Sequence, residues 1–391
     1  MSFMDSGKVI STILRHDKKV TSYKLALLRS INDVVLAFPD LRSFKKDVAI
    51  PLRVLAESWV AYYWPFVDEV SPIWQGQRAK LGSNLRNDMS FRPHLTQLRK
   101  LWEQEIQAKS RPADGFVLIN DLRIPRKRDT YSNEFLEFYQ LTIRHIAQAI
   151  EYPVQYAGPG EWSVFDRPKM CKNLQGTTIA IPGTLPQDKC IVIPYDLWQV
   201  FHSLSLWVEA LCIHEWCLFS EAISQNTDRP VSRGHIYELL TDRPDNRRPL
   251  TWERNQIDVL LMEGQYFICP WTRKELIKPQ AYNLDHIIPI AVYPVNELWN
   301  LVPSDPKFNC HKKKDYLPTD DCLQRARPYL ERTYSIYTQC QVLESVLRQD
   351  VELRFSRLND SQIYPEALSY SVVDWIAQVA ECRNISRFNC N

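Results

Sequence analysis

The chain's reading turns on one stretch in three pieces. Tyr282-Asn283-Leu284-Asp285-His286-Ile287-Ile288-Pro289-Ile290 leads, Glu297-Leu298-Trp299-Asn300-Leu301-Val302-Pro303 follows, and Asp305-Pro306-Lys307-Phe308-Asn309-Cys310-His311-Lys312-Lys313-Lys314-Asp315 closes it. Residues 284–288 and 298–302 are short runs rich in apolar residues. Each is stopped by a proline, and they read as two strands joined by a loop. Ser304 or Asp305 can cap a helix with Pro306 in its first turn, where proline loses no helical hydrogen bond. That helix carries Asn309 and the lysines, so the order is strand, loop, strand, helix.

Neighbours on a strand face opposite sides, so Asp285 and His286 reach one site only where the strand end twists or bulges. In that geometry Asp285 offers a carboxylate oxygen and Asn309 an amide oxygen. Two oxygen donors, with water completing the shell, suit a hard cation such as Mg2+ or Mn2+. His286 beside that cation could take a proton from water near neutral pH. A cation opposite a general base is what phosphodiester hydrolysis needs, because one activates water while the other stabilises charge on the phosphate and the leaving oxygen. Lys312, one helical turn after Asn309, could hold the substrate phosphate, and Lys313 and Lys314 could do so less directly. An isolated Asp-His pair is ordinarily a surface acid beside a satisfied core histidine. Only its recurrence with Asn300, Asn309 and Lys312 in ββα order carries the reading. His214-Glu215-Trp216-Cys217 does not extend to HExxH and lies in an apolar helix, so it reads as core.

Residues 264–318 resemble the HNH nucleases, the ββα-metal or His-metal finger family. The resemblance rests on Asp-His-Ile-Ile-Pro at 285–289, the pair Asn300-Leu301, and Asn309 with Lys312 three residues on. The nine-residue separation of Asn300 and Asn309 is that of the HNH domains of RNA-guided CRISPR effectors. The resemblance implies that Asp285 and Asn309 hold one divalent metal, Mg2+ or Mn2+, and that His286 is the general base. Asn300 would brace the hairpin and help orient that base. It further implies products with 5′-phosphate and 3′-hydroxyl ends. Many members pin this fold with zinc through two CxxC pairs. Here Cys269 is followed at the needed position by Thr272, Asp305 and Phe308 stand where the second pair would be, and Cys310 falls one position late. No structural zinc is expected, and Trp271, Trp299, Leu301 and Phe308 are expected to supply an apolar core instead.

Outward from this unit the chain reads as mainly α with small β elements. Residues 1–151 form a helical N-terminal region, with helices expected from Tyr23, after Pro51, and over residues 91–108 and 132–151. The aromatics Trp59, Tyr62, Tyr63, Trp64 and Phe66 read as core or a domain seam. Residues 152–225 read as a small β-hairpin or sheet, from the alternating runs at 177–181 and 190–193, followed by one long apolar helix over about 197–224. Residues 226–256 are polar and proline-broken and read as a linker or loop. The nuclease-like unit spans 257–320, and residues 321–391 form a helical C-terminal region. In the linker Arg247, Arg248 and Arg254 cluster just before the chemistry, where phosphate contact would fall. Arg123, Arg126, Lys127 and Arg128 form a second cluster, read as a solvated face.

Composition is ordinary for a globular protein. The formal net charge is +2, so any nucleic-acid surface must be local rather than a property of the whole chain. Ten glycines argue against turn-rich barrels and glycine-rich loops. The ten cysteines include no CxxC and, with no secretory signal, read as reduced core residues of a cytoplasmic protein. No uncharged apolar run approaches a membrane span, so no membrane partner is expected.

These readings converge on a metal-dependent HNH endonuclease, with DNA the expected substrate. Its layout resembles bacterial anti-phage or restriction effectors. Cleavage of RNA, including tRNA, is the same-chemistry alternative, and a nucleic-acid-binding subunit with a vestigial site is the other class. The N-terminal helical region could bind DNA, sense a trigger or dock a protein partner that restrains the nuclease.

Overall fold

The structure, a computed structural model, describes residues 3–76, 88–158, 163–174, 176–225, 229–242, 250–290, 292, 296–355, 358, 365–383 and 385–390. It is mainly helical with small sheets and divides into two compact units. One comprises Met1–Ala37 and Leu41–Asp242, the other Phe38–Asp40 and Arg243–Asn391. Among the described residues no helix is long and apolar enough to cross a membrane.

In the first unit the helices are α1 (Phe3–Arg15), α2 (Tyr23–Ala37), α3 (Leu52–Tyr63), α4 (Arg92–Glu105), α5 (Asp114–Arg123), α6 (Pro125–Arg128), α7 (Asn133–Tyr156), α8 (Tyr195–Ser203), α9 (Ser205–Ser224) and α10 (Arg233–Thr241). The four helices expected before residue 152 are all present, as α2, α3, α4 and α7. Ser132 caps α7 through its hydroxyl, which accepts from Phe135 N at 3.2 Å. The dense aromatics are core. Trp59, Tyr63, Trp64 and Phe66 are fully buried, and Tyr63 packs on Trp216 of α9 with ring centres 5.1 Å apart. Gly115 lets α5 lie directly on α3, because a Cβ there would fall 2.8 Å from the Ala61 backbone.

The small sheet contains β1 (Asp47–Pro51), β2 (Lys169–Met170), β3 (Thr178–Ala180) and β4 (Lys189–Ile193) in the order β2-β4-β1-β3. The two runs expected to be strands do not pair with each other. β1 enters between them, parallel to β3 and antiparallel to β4, with Ala49 opposite both Ala180 and Val192. The expected long helix is interrupted at Leu204, whose φ of −112° and ψ of 19° leave helical geometry and separate α8 from α9. Residues 226–256, which read as a linker, contain α10. Ser232 caps it, accepting from His235 N at 3.3 Å, and Ile236 and Leu240 bury one face. Polar composition hid a helix that needs only one apolar stripe. In the second basic cluster Arg123 pairs with Glu57 at 2.8 Å and Lys127 with Asp121 at 3.7 Å, which offsets much of its charge.

The second unit opens with α11 (Thr251–Met262). The strands β5 (Phe267–Ile268) and β6 (Glu275–Leu276) pair, as do β7 (Asn283–His286) and β8 (Leu301–Ser304). The hairpin register sets Asp285 opposite Val302 and His286 opposite Leu301. β7 is shorter than expected, and residues 298–300 form a 3-10 turn before β8 begins. A single helical turn, α12 (Pro306–Phe308), follows and runs into a π-helical turn over Asn309–Lys313. Of the two capping candidates, Asp305 acts, its Oδ1 accepting from Lys307 N at 2.9 Å. β9 (Leu317–Pro318), α13 (Asp320–Gln339), α14 (Gln341–Arg354), α15 (Pro365–Arg383) and β10 (Arg387–Phe388) complete the unit.

The C-terminal helices hold the hairpin by its backbone. Tyr334 and Tyr337 of α13 donate to the carbonyls of Trp299 at 2.7 Å and Leu301 at 2.9 Å. Asp350 of α14 accepts from Leu298 N at 2.7 Å. Arg354 forms a buried ion pair with Glu297 at 2.5 Å, and Trp299 packs edge-on against Trp375 of α15 at 5.1 Å. Trp271, Trp299, Leu301 and Phe308 are buried as expected, while Cys269 Sγ accepts from Asp305 N at 3.2 Å. The expectation of reduced cysteines fails at one pair. Cys322 and Cys390 are disulfide-bonded, 68 residues apart in sequence with Cα atoms 5.2 Å apart, because β10 returns beside β9 and brings them together.

Candidate active site

The hairpin and the π turn enclose a cleft of about 450 Å3 lined by Asp285, His286, Asn309, Lys313, Lys314 and Arg254, among others. The structure therefore brings Asp285, His286 and Asn309 to one opening, although Asp285 and His286 are neighbours on β7. Asp285 stands at the inner side and is buried. Its Oδ1 pairs with Lys313 Nζ at 3.0 Å, and its Oδ2 accepts from Trp271 Nε1 at 3.3 Å. His286 stands at the other side, half-buried, where its Nε2 donates to Asn296 Oδ1 at 2.7 Å. With the proton on Nε2, the lone pair is on Nδ1, and that nitrogen is the one able to accept a proton. Burial pushes the imidazole below its ordinary value. The Asn296 bond and the Asp285 charge oppose that shift, and the Lys313 ammonium adds to it. The ring is consequently neutral at neutral pH, the form a general base requires.

Asn300 is fully buried and clamps the loop that leaves β7. Its Oδ1 accepts from Ile288 N at 2.8 Å and its Nδ2 donates to Ile288 O at 3.1 Å. This bidentate grip on the backbone two residues past His286 is the geometry of a brace. It does not touch the imidazole.

The lysines are ordered differently from the sequence expectation. Lys312 is exposed, outside the cleft lining, with its Nζ 5.9 Å from the Phe308 ring centre. Lys313 points inward instead, 1% exposed, and also donates to His286 O at 2.7 Å. The cause is the π turn, in which Lys314 N bonds Asn309 O at 3.0 Å across five residues. The wider turn rotates the next position, not the α-helical neighbour of Asn309, toward the site. Lys314 lines the cleft, exposed, with a φ of 46°. Arg254 also lines it. Arg247 and Arg248 lie outside the described residues.

Sequence reasoning missed two contributors. Asn296 carries no motif signal, since its contact depends on how the loop after Pro289 returns. Trp271 was expected only as core, and its indole N–H is also the partner of Asp285.

The donor chemistry fits a hard divalent cation. An ionised carboxylate offers about four lone-pair positions, and Lys313 and Trp271 take two of those on Asp285. Among the described residues none hydrogen-bonds the Asn309 side-chain amide, and Asn309 lines the same cleft. Two sets of oxygen lone pairs thus remain for a cation and its waters. Among the described residues no group of three or more His, Cys, Asp and Glu is placed to hold a metal ion.

A ββα unit with an Asp-His strand end, a bracing asparagine and a facing asparagine is a nuclease unit of the HNH type, and residues 269–319 match the family described as HNH endonuclease. Over more than half of its length, residues 5–240, the chain matches a second family, described as Domain of unknown function (DUF8808), and it belongs to that family. No curated protein and no solved structure matches the chain.

Proposed function

We propose that this protein is a divalent-metal-dependent endonuclease that hydrolyses phosphodiester bonds. The observation that carries the reading is the meeting, in one cleft, of the His286 imidazole, held through Nε2 by Asn296, with the oxygen-bearing side chains of Asp285 and Asn309. His286 takes the proton of the attacking water at Nδ1 while Asn296 holds the ring through Nε2. Asn300 fixes the backbone from which the ring projects. Asp285 and Asn309 would hold the cation, Mg2+ or Mn2+, which when bound stabilises charge on the scissile phosphate and its leaving oxygen. Lys314 and Arg254 on the rim supply positive charge for the flanking phosphates, and Lys313 acts through Asp285.

DNA is the favoured substrate, on the resemblance to HNH nucleases. The joining of a short nuclease unit to a larger helical region of its own family favours an effector of bacterial defence acting in the cytoplasm. A second reading, a nucleic-acid-binding subunit with an inactive site, draws support from one contact: the Lys313 ammonium already neutralises Asp285.

The test is cleavage of supercoiled plasmid and of total RNA with Mg2+ or Mn2+, against EDTA. His286→Ala should lower cleavage by about two to four orders of magnitude with an unchanged melting curve. Full activity in that variant removes the mechanism. A folded wild type that neither binds Mn2+ nor cuts selects the binding-subunit reading.

A further inference from the structure

The strand β10 lies beyond the residues that match the HNH family, yet its Phe388 reaches two aromatic rings that adjoin the site's oxygen donors. Phe388 is 7% exposed. Its ring meets Trp271 edge-on at 5.5 Å and Phe308 edge-on at 5.5 Å. Those two rings belong to different elements. Trp271 sits in the turn between β5 and β6 and donates to Asp285. Phe308 ends α12 and directly precedes Asn309. One ring therefore touches the immediate support of both oxygen donors.

The strand that carries this ring is firmly built in. Leu317 N donates to Ser386 O at 3.0 Å and Thr319 N to Phe388 O at 2.9 Å. Arg387 pairs with Asp320 at 2.5 Å, Thr319 Oγ1 bonds Asn389 Oδ1 at 3.0 Å, and the Cys322–Cys390 disulfide closes the end. Edge-to-face packing constrains ring direction as well as burying area. Shifting Phe388 would let the Trp271 indole swing and the start of the π turn move together.

We infer that Phe388 is a positioning residue of the nuclease site, setting Asp285 through Trp271 and Asn309 through Phe308. This rests on the nuclease reading for its kinetic consequence but not for its structural one, and the test separates the two. The full chain is labelled with 15N at its tryptophan indoles, and the Trp271 signal is identified by its loss in Trp271→Phe. In Phe388→Leu the Trp271 N–H signal should move toward that of an indole released from its acceptor, the position set by Asp285→Ala, which removes the accepting oxygens. At the same time kcat should fall about ten- to a hundredfold, the scale of a displaced reacting group, with KM unchanged. Phe388→Tyr keeps the ring and should restore both. If Phe388→Leu does not fold, Phe388→Met fills the space without a ring edge and is read in the same way. A wild-type indole signal in the folded variant overturns the inference, as does a loss of kcat that Phe388→Tyr fails to recover. If the wild type cuts nothing and binds no Mn2+, the nuclease reading fails, and the indole signal alone decides whether Phe388 sets Asp285.

Discussion

Lys313 is the residue on which the cleft's charge balance depends. It is 1% exposed and its ammonium sits 3.0 Å from the buried Asp285 carboxylate. Removing one member of such a pair leaves the other charge uncompensated in a poorly solvated place. Lys313→Met should therefore cost about 3–5 kcal/mol in metal-free buffer. Adding Mn2+ should return part of that loss, because the cation takes up the bare carboxylate and binds only the folded form. Chemical denaturation of both proteins with EDTA and with Mn2+ checks this, and an equal loss in both buffers would show that Asp285 does not take metal. Asn296 makes a second, independent prediction. Its side chain fixes the His286 ring without contacting the oxygen donors, so Asn296→Ala should lower kcat about tenfold or more while Mn2+ affinity stays at the wild-type value. Unchanged kcat would mean that the ring needs no orienter. In the first unit, His202 is buried and accepts from Arg42 through Nδ1 at 3.3 Å. Burial first, and the Arg42 charge second, hold its pKa at about 4 against an ordinary 6.5. The unfolded chain gains this proton first as pH falls. The contribution to stability is whole above pH 6.5 and is lost down to about pH 4, up to ~3 kcal/mol. Urea midpoints of wild type and His202→Phe should diverge in slope across that window.

At the scale of elements, the disulfide and the π turn do most to shape the second unit. The Cys322–Cys390 bond closes a loop of 68 residues around α13, α14 and α15. Chain entropy gives such a closure about 4 kcal/mol. Reduction with dithiothreitol, or Cys390→Ser, should lower the urea midpoint of this unit accordingly, and an unchanged midpoint would mean that the reduced chain keeps its ends together by β9–β10 pairing alone. The same elements show what sequence could and could not disclose. That Asp285, His286 and Asn309 would share one opening was legible because the hairpin and its following turn are nearly contiguous in sequence. The choice between Lys312 and Lys313 was not, because it depends on one extra residue in a turn whose hydrogen bonds leave no compositional trace. The disulfide was illegible for a related reason: cysteines 68 residues apart become neighbours only through a two-residue strand pairing. The break at Leu204 and the helix α10 reflect tertiary burial overriding local composition.

At the scale of the whole molecule, the division of the chain does not follow a single cut. Phe38–Asp40 groups with residues 243–391, although it lies in the middle of the N-terminal sequence. Within that unit the Arg354 guanidinium lies over the Phe38 ring at 5.5 Å while pairing with Glu297 at 2.5 Å, and Glu297 also accepts from the buried Trp299 at 2.5 Å. The nuclease unit thus draws a packing contact from a segment more than two hundred residues upstream. A fragment beginning at Arg243 keeps the hairpin, the π turn and the disulfide but loses the Phe38 ring, leaving Trp375 beside the Arg354 guanidinium. Loss of that ring weakens the pairing of Arg354 with Glu297 and, through Trp299, the register of β8 against β7. Residues 243–391 alone should therefore melt below the corresponding transition of the full chain, and Phe38→Ala in the full chain should reproduce the shift. Truncating a buried aromatic costs about 3–5 kcal/mol, with the upper part expected here only if the ion pair is disturbed as well. Calorimetry of the three proteins checks the prediction. A fragment as stable as the full-length transition would show that Phe38 rests on the nuclease unit without supporting it.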